Sequence, residues 1–155
     1  MKKPPLFHII IATGFGSGFS PVAPGTAGAA FATIIWLIFS FLTPSYLLPI
    51  TIFLIILFTI LGIWSTNKLE PVWGKDPSRV VVDEMVGVWI ALLAVNAREW
   101  YFVLAFILFR LFDIYKPLGI KKMENLKGGI GVMMDDILAG IYSFIILLGV
   151  KWLIG

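Results

Sequence analysis

The chain contains no cysteine and a single histidine, His8. Without thiols there is no disulfide framework, no Cys-ligated metal and no catalytic thiolate. With one imidazole, close to the N-terminus, chemistry that needs two histidines is excluded. Charge is scarce as well: Asp, Glu, Lys and Arg together make up 14% of the residues, against 59% hydrophobic. A soluble domain is typically about 25% charged and about 45–50% apolar. The mean hydropathy is +0.98, and the composition is that of an integral membrane protein. The net charge of +3 is informative only through its distribution.

At 155 residues the chain is long enough for one domain. Residues 1–155 read as one membrane-embedded unit, with no internal repeat and no low-complexity linker. The apolar patch at residues 9–12 is shorter than the roughly 7–15 residues of a signal-peptide core, so the N-terminus reads as mature protein. Residues 14–28, GFGSGFSPVAPGTAG, are rich in Gly, Ser and Pro and read as a loop or broken helix. Apolar helices are expected over 29–42, 46–66, about 80–97, 100 to about 116, and 135 to about 154. Between them lie a polar loop at 67–79, a short turn at 96–99 and a Gly- and Lys-rich loop at 117–134. The expected class is all-α, a polytopic membrane bundle of about five helices. A hydrocarbon core of about 30 Å needs roughly 20 helical residues. Helices 46–66 and 135–154 satisfy that and helix 29–42 is short, so three to five full spans are expected.

Five antiparallel helices put the N-terminus, loop 67–79 and loop 117–134 on one side. Those segments carry Lys2, Lys3, Lys68, Lys75, Arg79, Lys121, Lys122 and Lys127, whereas the other side has Arg98 and Lys151. The positive-inside rule makes the basic side cytoplasmic. The unusual polar motifs fall on that same side.

The first of them is VVVDEMVGVWIALLAV, residues 80–95, where Asp83 and Glu84 stand at the head of an apolar run. Acidic residues in a first turn complement the helix dipole, which would suffice for an isolated pair. Asp113, Asp135 and Asp136 also sit at the margins of apolar runs. Ionisable groups at membrane depth are costly and usually mark function. Five carboxylates converging from three helix ends would repel one another, and a hard divalent cation such as Mg²⁺ removes that repulsion. In FRLFDIYKP, Arg110, Asp113 and Lys116 recur at i, i+3 spacing and share one helix face. They read either as an intrahelical ion pair with a snorkelling lysine or as an anion clamp beside a metal. In the Gly-rich stretch, Gly14, Gly16, Gly18, Gly25 and Gly28 permit close backbone approach. Ser17, Ser20 and Thr26 offer hydroxyls, and Thr26 could cap the first helix and direct its positive end at an anion. The alternative for that stretch is a flexible turn with small-residue helix packing. There is no GxxxxGK[ST], no GxGxxG, no DxDxT and no DG…AR…G…D…D signature of CDP-alcohol phosphotransferases.

Taken in order, GFGSGFSPVAPGTAG, VVVDEMVGVWIAL, FRLFDIYKP and GGIGVMMDDILAG resemble the phosphatidylglycerophosphatase A family across nearly the whole chain. The matching positions are Gly16, Ser17, Gly18, Pro24, Gly25 and Thr26, then Asp83 and Glu84, then Arg110, Asp113, Lys116 and Pro117, then Asp135 and Asp136. The resemblance implies a Mg²⁺-dependent enzyme of the bacterial inner membrane that hydrolyses phosphatidylglycerophosphate to phosphatidylglycerol and inorganic phosphate. On that reading Asp83, Glu84, Asp135 and Asp136 hold Mg²⁺, and Asp113 orients Lys116 or completes the shell. Arg110, Lys116, Gly16, Ser17, Gly18, Ser20, Gly25 and Thr26 grip the substrate. Asp83, Glu84, Asp113, Lys116 and Asp136 form the catalytic set. The attacking group is either metal-activated water or a carboxylate that becomes an aspartyl-phosphate. The expected partners are the lipid substrate and the bilayer, with no nucleic acid. Two other readings stay open: a phosphatase of another lipid phosphate, and a non-enzymatic cation carrier.

Overall fold

Six α-helices and three short 3-10 segments make up the secondary structure, with no strand among the described residues. The computed structural model describes residues 5–74, 77–117 and 119–154. The helices are α1 (Leu6–Ala12), α2 (Pro24–Leu42), α3 (Leu47–Trp73), α4 (Val82–Leu92), α5 (Phe102–Tyr115) and α6 (Gly128–Ile154). The class is the all-α bundle expected, with one helix more than the count from hydropathy.

The short helix α4 is the axis of the bundle. Every residue of it except Glu84 is buried, because α2, α3, α5 and α6 all pack against it. A helix that is apolar on all sides belongs inside, which explains why VVVDEMVGVWIAL shows no polar stripe. Trp89 secures the contact with α2, its indole N–H donating to the Ala32 carbonyl at 2.9 Å. The contact with α6 depends on glycine. A Cβ on Gly140 would stand 2.4 Å from the Gly87 carbonyl oxygen, and one on Gly87 would stand 2.7 Å from the Asp136 carbonyl oxygen. Neither backbone atom can step aside. Gly140→Ala is therefore expected to push α4 and α6 apart and cost about 1–3 kcal/mol, as overpacking generally does. A lowered thermal midpoint in detergent would show it, and an unchanged midpoint would contradict so close an approach.

Three helical stretches are long and apolar enough to cross a bilayer: Pro24–Leu42, Pro44–Trp73 and Gly128–Ile154. At about 1.5 Å per residue, the 11 residues of α4 and 14 of α5 reach about 16 and 21 Å, short of a hydrocarbon core. Together they form a hairpin that enters the bundle and returns to the same end. Its turn is held by Lys151 of α6, whose ammonium donates to the Ala94 carbonyl at 2.8 Å and to Glu99 Oε1 at 2.7 Å.

Several element boundaries differ from those read in the sequence. Helix α2 begins at Pro24 rather than 29, which brings it to spanning length. Proline suits a first helical position, and the small residues after it let the chain lie against Val81, to which a Cβ on Gly28 would come within 2.7 Å. The N-terminal patch forms α1, against α3. Residues 67–73 continue α3 instead of opening a loop: Pro71 falls in the last turn, where little helix follows it to be kinked, and Leu69 is buried. Helix α4 stops at Leu92. Helix α6 starts at Gly128, seven residues before Asp135, so that the Asp pair lies about two turns inside it. Of the basic residues that oriented the chain, Lys68, Arg79, Lys121, Lys122 and Lys127 are exposed, while Lys2, Lys3 and Lys75 lie outside the described residues.

Candidate active site

The start of α2, the start of α4, the end of α5 and the second turn of α6 meet at one end of the bundle. Asp83 and Glu84 stand in the first turn of α4. One oxygen each of Asp83, Asp135 and Asp136 lie within 4.8 Å of one another, as do one oxygen each of Glu84, Asp113 and Asp136. Asp136, belonging to both groups, is the hub. Asp83 and Asp135 are each 5% exposed and Asp136 is 1% exposed. Five carboxylates drawn from positions 83 to 136 are thus gathered in a site largely closed to water.

Two cations border the cluster. Arg110 pairs with Asp113 one turn on, through Nη1 and Oδ2. Lys116 donates to Asp135 Oδ2 at 2.8 Å, linking α5 to α6. Lys116 caps α5 in the left-handed region, φ 50°, an uncommon conformation for a residue with a side chain, and its backbone N–H closes α5 on the Phe112 carbonyl at 2.9 Å. The Asp135 carboxylate also accepts the Asp136 backbone N–H at 2.9 Å.

Four polar atoms buried here have no hydrogen-bond partner: Asp83 Oδ1, Glu84 Oε2, Asp136 Oδ1 and Arg110 Nε. Leaving one such group unsatisfied costs about 1–3 kcal/mol, more when it is charged. Orphans that gather in one spot mark a place built to receive something. Three are carboxylate oxygens, suited to a hard cation, and one is a guanidinium N–H, suited to an oxyanion. The spacing is compatible with Mg²⁺: bonds of about 2.1 Å place opposite ligands about 4.2 Å apart, and one oxygen from each member of either group lies within 4.8 Å of the others.

The Gly-rich stretch divides into two parts. Gly25 reaches the cluster, since a Cβ there would stand 3.1 Å from Glu84 Oε1 and 3.3 Å from Arg110 Nη1. The first intrahelical bond of α2 runs from the Ala27 N–H to the Ala23 carbonyl. The N–H groups of Gly25 and Thr26 precede it and face no helical acceptor. Thr26 lies within the first turn and does not cap it. The earlier part of the stretch supports the chain entering α4. A Cβ on Gly18 would fall 2.0 Å from the Arg79 carbonyl oxygen, and the Val81 N–H donates to the Ala12 carbonyl at 2.8 Å. Ser17 donates to the Gly14 carbonyl at 2.9 Å and Ser20 to that of Val22 at 2.8 Å, so both hydroxyls are engaged locally. Gly16 is exposed, in the left-handed region at φ 95°.

His8 sits at the α1–α3 seam, its Nδ1 2.9 Å from Ser65 Oγ and its ring edge-on to Trp64. Asn67 is a positioning residue that the sequence did not disclose. Its Oδ1 accepts the Gly129 N–H at 2.6 Å, so α3 caps the helix that carries Asp135 and Asp136. The available signal was a helix beginning Lys-Gly-Gly with no capping side chain of its own.

The sequence profile of the family described as phosphatidylglycerophosphatase A matches residues 10–151. The chain belongs to the phosphatidylglycerophosphatase A family. The matched range contains all the residues that meet at the cluster. The chain is 38% identical to the phosphatidylglycerophosphatase A of Escherichia coli, covering 94% of this chain and 86% of that one. It is 40% identical to the phosphatidylglycerophosphatase A of Haemophilus influenzae, covering 98% and 94%. A family member from Bacteroides thetaiotaomicron, 62% identical over the full length of both chains, carries the provisional name phosphatidylinositol-3-phosphatase. No solved structure matches significantly.

Proposed function

We propose that the protein is a Mg²⁺-dependent lipid phosphatase that hydrolyses phosphatidylglycerophosphate to phosphatidylglycerol and inorganic phosphate. The observation that carries this reading is the set of orphaned buried atoms, three carboxylate oxygens and one guanidinium N–H, at one end of an apolar bundle. A cation carrier would need the carboxylates but neither the Arg110 fork nor the open start of α2.

Asp83, Glu84, Asp135 and Asp136 would hold Mg²⁺, which when bound supplies positive charge against the phosphate dianion and the charge that develops on the transferring group. Arg110 offers its fork to the phosphate oxygens. The N–H groups of Gly25 and Thr26 add the positive end of α2. Lys116, held by Asp135, keeps a second cation at the rim. These groups stay in place through the reaction, so catalysis is chiefly positioning and electrostatic stabilisation. Either water attacks phosphorus directly, or one of the carboxylates attacks and water then cleaves the resulting aspartyl-phosphate; in both routes the P–O bond to the lipid breaks, the lipid oxygen leaves with a proton drawn from water, and inorganic phosphate is released.

We read residues 1–155 as one membrane-embedded phosphatase domain in the bacterial cytoplasmic membrane. Lys68, Arg79, Lys121, Lys122 and Lys127 support a cytoplasmic position for the site, by the positive-inside rule.

The name of the Bacteroides relative favours a second reading, in which the phosphate monoester is on an inositol headgroup. The test is phosphate release by detergent-purified protein from phosphatidylglycerophosphate, phosphatidylinositol-3-phosphate and phosphatidic acid, side by side. Preference for the first lipid is expected. Preference for the inositol lipid would transfer the assignment to the second reading, and no release from any would defeat both.

A further inference from the structure

The seam between α2 and α5 carries a feature that phosphate chemistry does not use. Ala30, Thr33, Ile34 and Leu37 of α2 face Phe102 and Phe106 of α5 across a groove of about 280 Å³. Its lining is apolar: the one hydroxyl present, that of Thr33, is turned back to the Ala29 carbonyl at 2.8 Å. The groove opens to the bundle surface, where Ile34 is 54% exposed and Val103, also on its wall, is 48% exposed.

Its place on the two helices says what it receives. The same seam ends at Gly25 and Arg110, which stand side by side at the cluster. From Gly25 to Ala30 along α2 is about 8 Å, and from Arg110 to Phe106 along α5 about 6 Å, at 1.5 Å per residue. The groove then continues for about 10 Å, from Ala30 to Leu37. An anion-binding end, a short gap and an apolar channel open on one side match a phosphate, a glycerol linker and an alkyl chain. We propose that the α2–α5 groove binds an acyl chain of the lipid phosphate and is the side entrance through which that lipid reaches the cluster from the bilayer. The proposal rests on the lipid phosphatase reading and adds to it a chain-binding subsite remote from the reacting atoms.

Ile34→Trp and Val103→Trp lay an indole across the groove from exposed positions, where folding has no reason to suffer. Ile145→Trp, on the exposed face of α6, is the control. Each is assayed on a long-chain diacyl lipid phosphate and on a short-chain, water-soluble analogue with the same headgroup. The two groove variants are expected to raise KM about tenfold on the long-chain lipid, equivalent to losing about two buried methylenes. Turnover of the short-chain analogue, and both activities of the control, stay unchanged. Unchanged KM on the long-chain lipid would overturn the proposal, as would equal losses on both substrates. A change in oligomeric state without a change in KM would assign the groove to a second copy of the chain and overturn it too. Short-chain turnover by the unmodified protein reports on the phosphatase reading itself, so its absence would be recognised as failure of that reading.

Discussion

Asp136→Asn is expected to lower turnover at least about 10³-fold, the effect of losing several kcal/mol of charge stabilisation at the transferring phosphate. Asp136 is the hub of both carboxylate groups, and its Oδ1 is buried without a partner. Asparagine keeps its size but not its charge. Asp83→Asn should follow the same course, because Asp83 Oδ1 is likewise orphaned. The folded state supplies the discriminating readout. A carboxylate needed for structure would destabilise the protein when neutralised. Here, an amide in place of one of five crowded carboxyl groups adds neither charge nor bulk, so the metal-free variants should be at least as thermally stable as the metal-free parent. Wild-type activity in both variants would remove the proposed metal site.

Arg110→Lys is expected to reduce kcat/KM about 10²-fold while leaving Mg²⁺ affinity unchanged. Lysine keeps the charge but loses the planar fork that grips phosphate oxygens in pairs, and removing one transition-state donor typically costs about 10²–10³. Arg110 both pairs with Asp113 and holds Nε unpartnered toward the cluster. The alanine variant is less informative: it would strand Asp113 beside Glu84 and Asp136 and confuse a folding defect with a chemical one. Full activity in Arg110→Lys would limit Arg110 to an ion-pair role.

Much of the site was legible because its residues are out of place in their surroundings. Asp83, Glu84, Asp113, Asp135 and Asp136 interrupt apolar runs, and no membrane helix carries such groups without compensation. Their convergence could be inferred from helix direction alone, since the starts of alternate helices in an antiparallel bundle lie at the same end as the ends of the helices between them. The pairing of Lys116 was less accessible. The i, i+3 spacing accounts for Arg110–Asp113, but the Lys116–Asp135 contact crosses between helices after a left-handed turn. The Gly-rich stretch was ambiguous for a physical reason. Glycine serves equally for approach to a ligand, as at Gly25, and for approach to another backbone, as at Gly18 against Arg79. Composition does not distinguish the two. Helix ends were misplaced where tertiary contacts override local signals: Asn67 of α3 caps Gly129 and lets α6 begin seven residues before its first acidic residue. The short hairpin of α4 and α5 had a clear hydropathy signal but no signal of its depth, which depends on what surrounds it.

If the buried carboxylates work by holding a divalent cation against a lipid phosphate, turnover depends on that cation. The most direct measurement is phosphate release from phosphatidylglycerophosphate by folded, detergent-purified protein in excess EDTA, repeated after Mg²⁺ is returned. Release is expected to stop with the chelator and to recover with Mg²⁺ in the parent protein but not in Asp136→Asn. Undiminished release in excess EDTA would mean that the carboxylates act without a divalent cation.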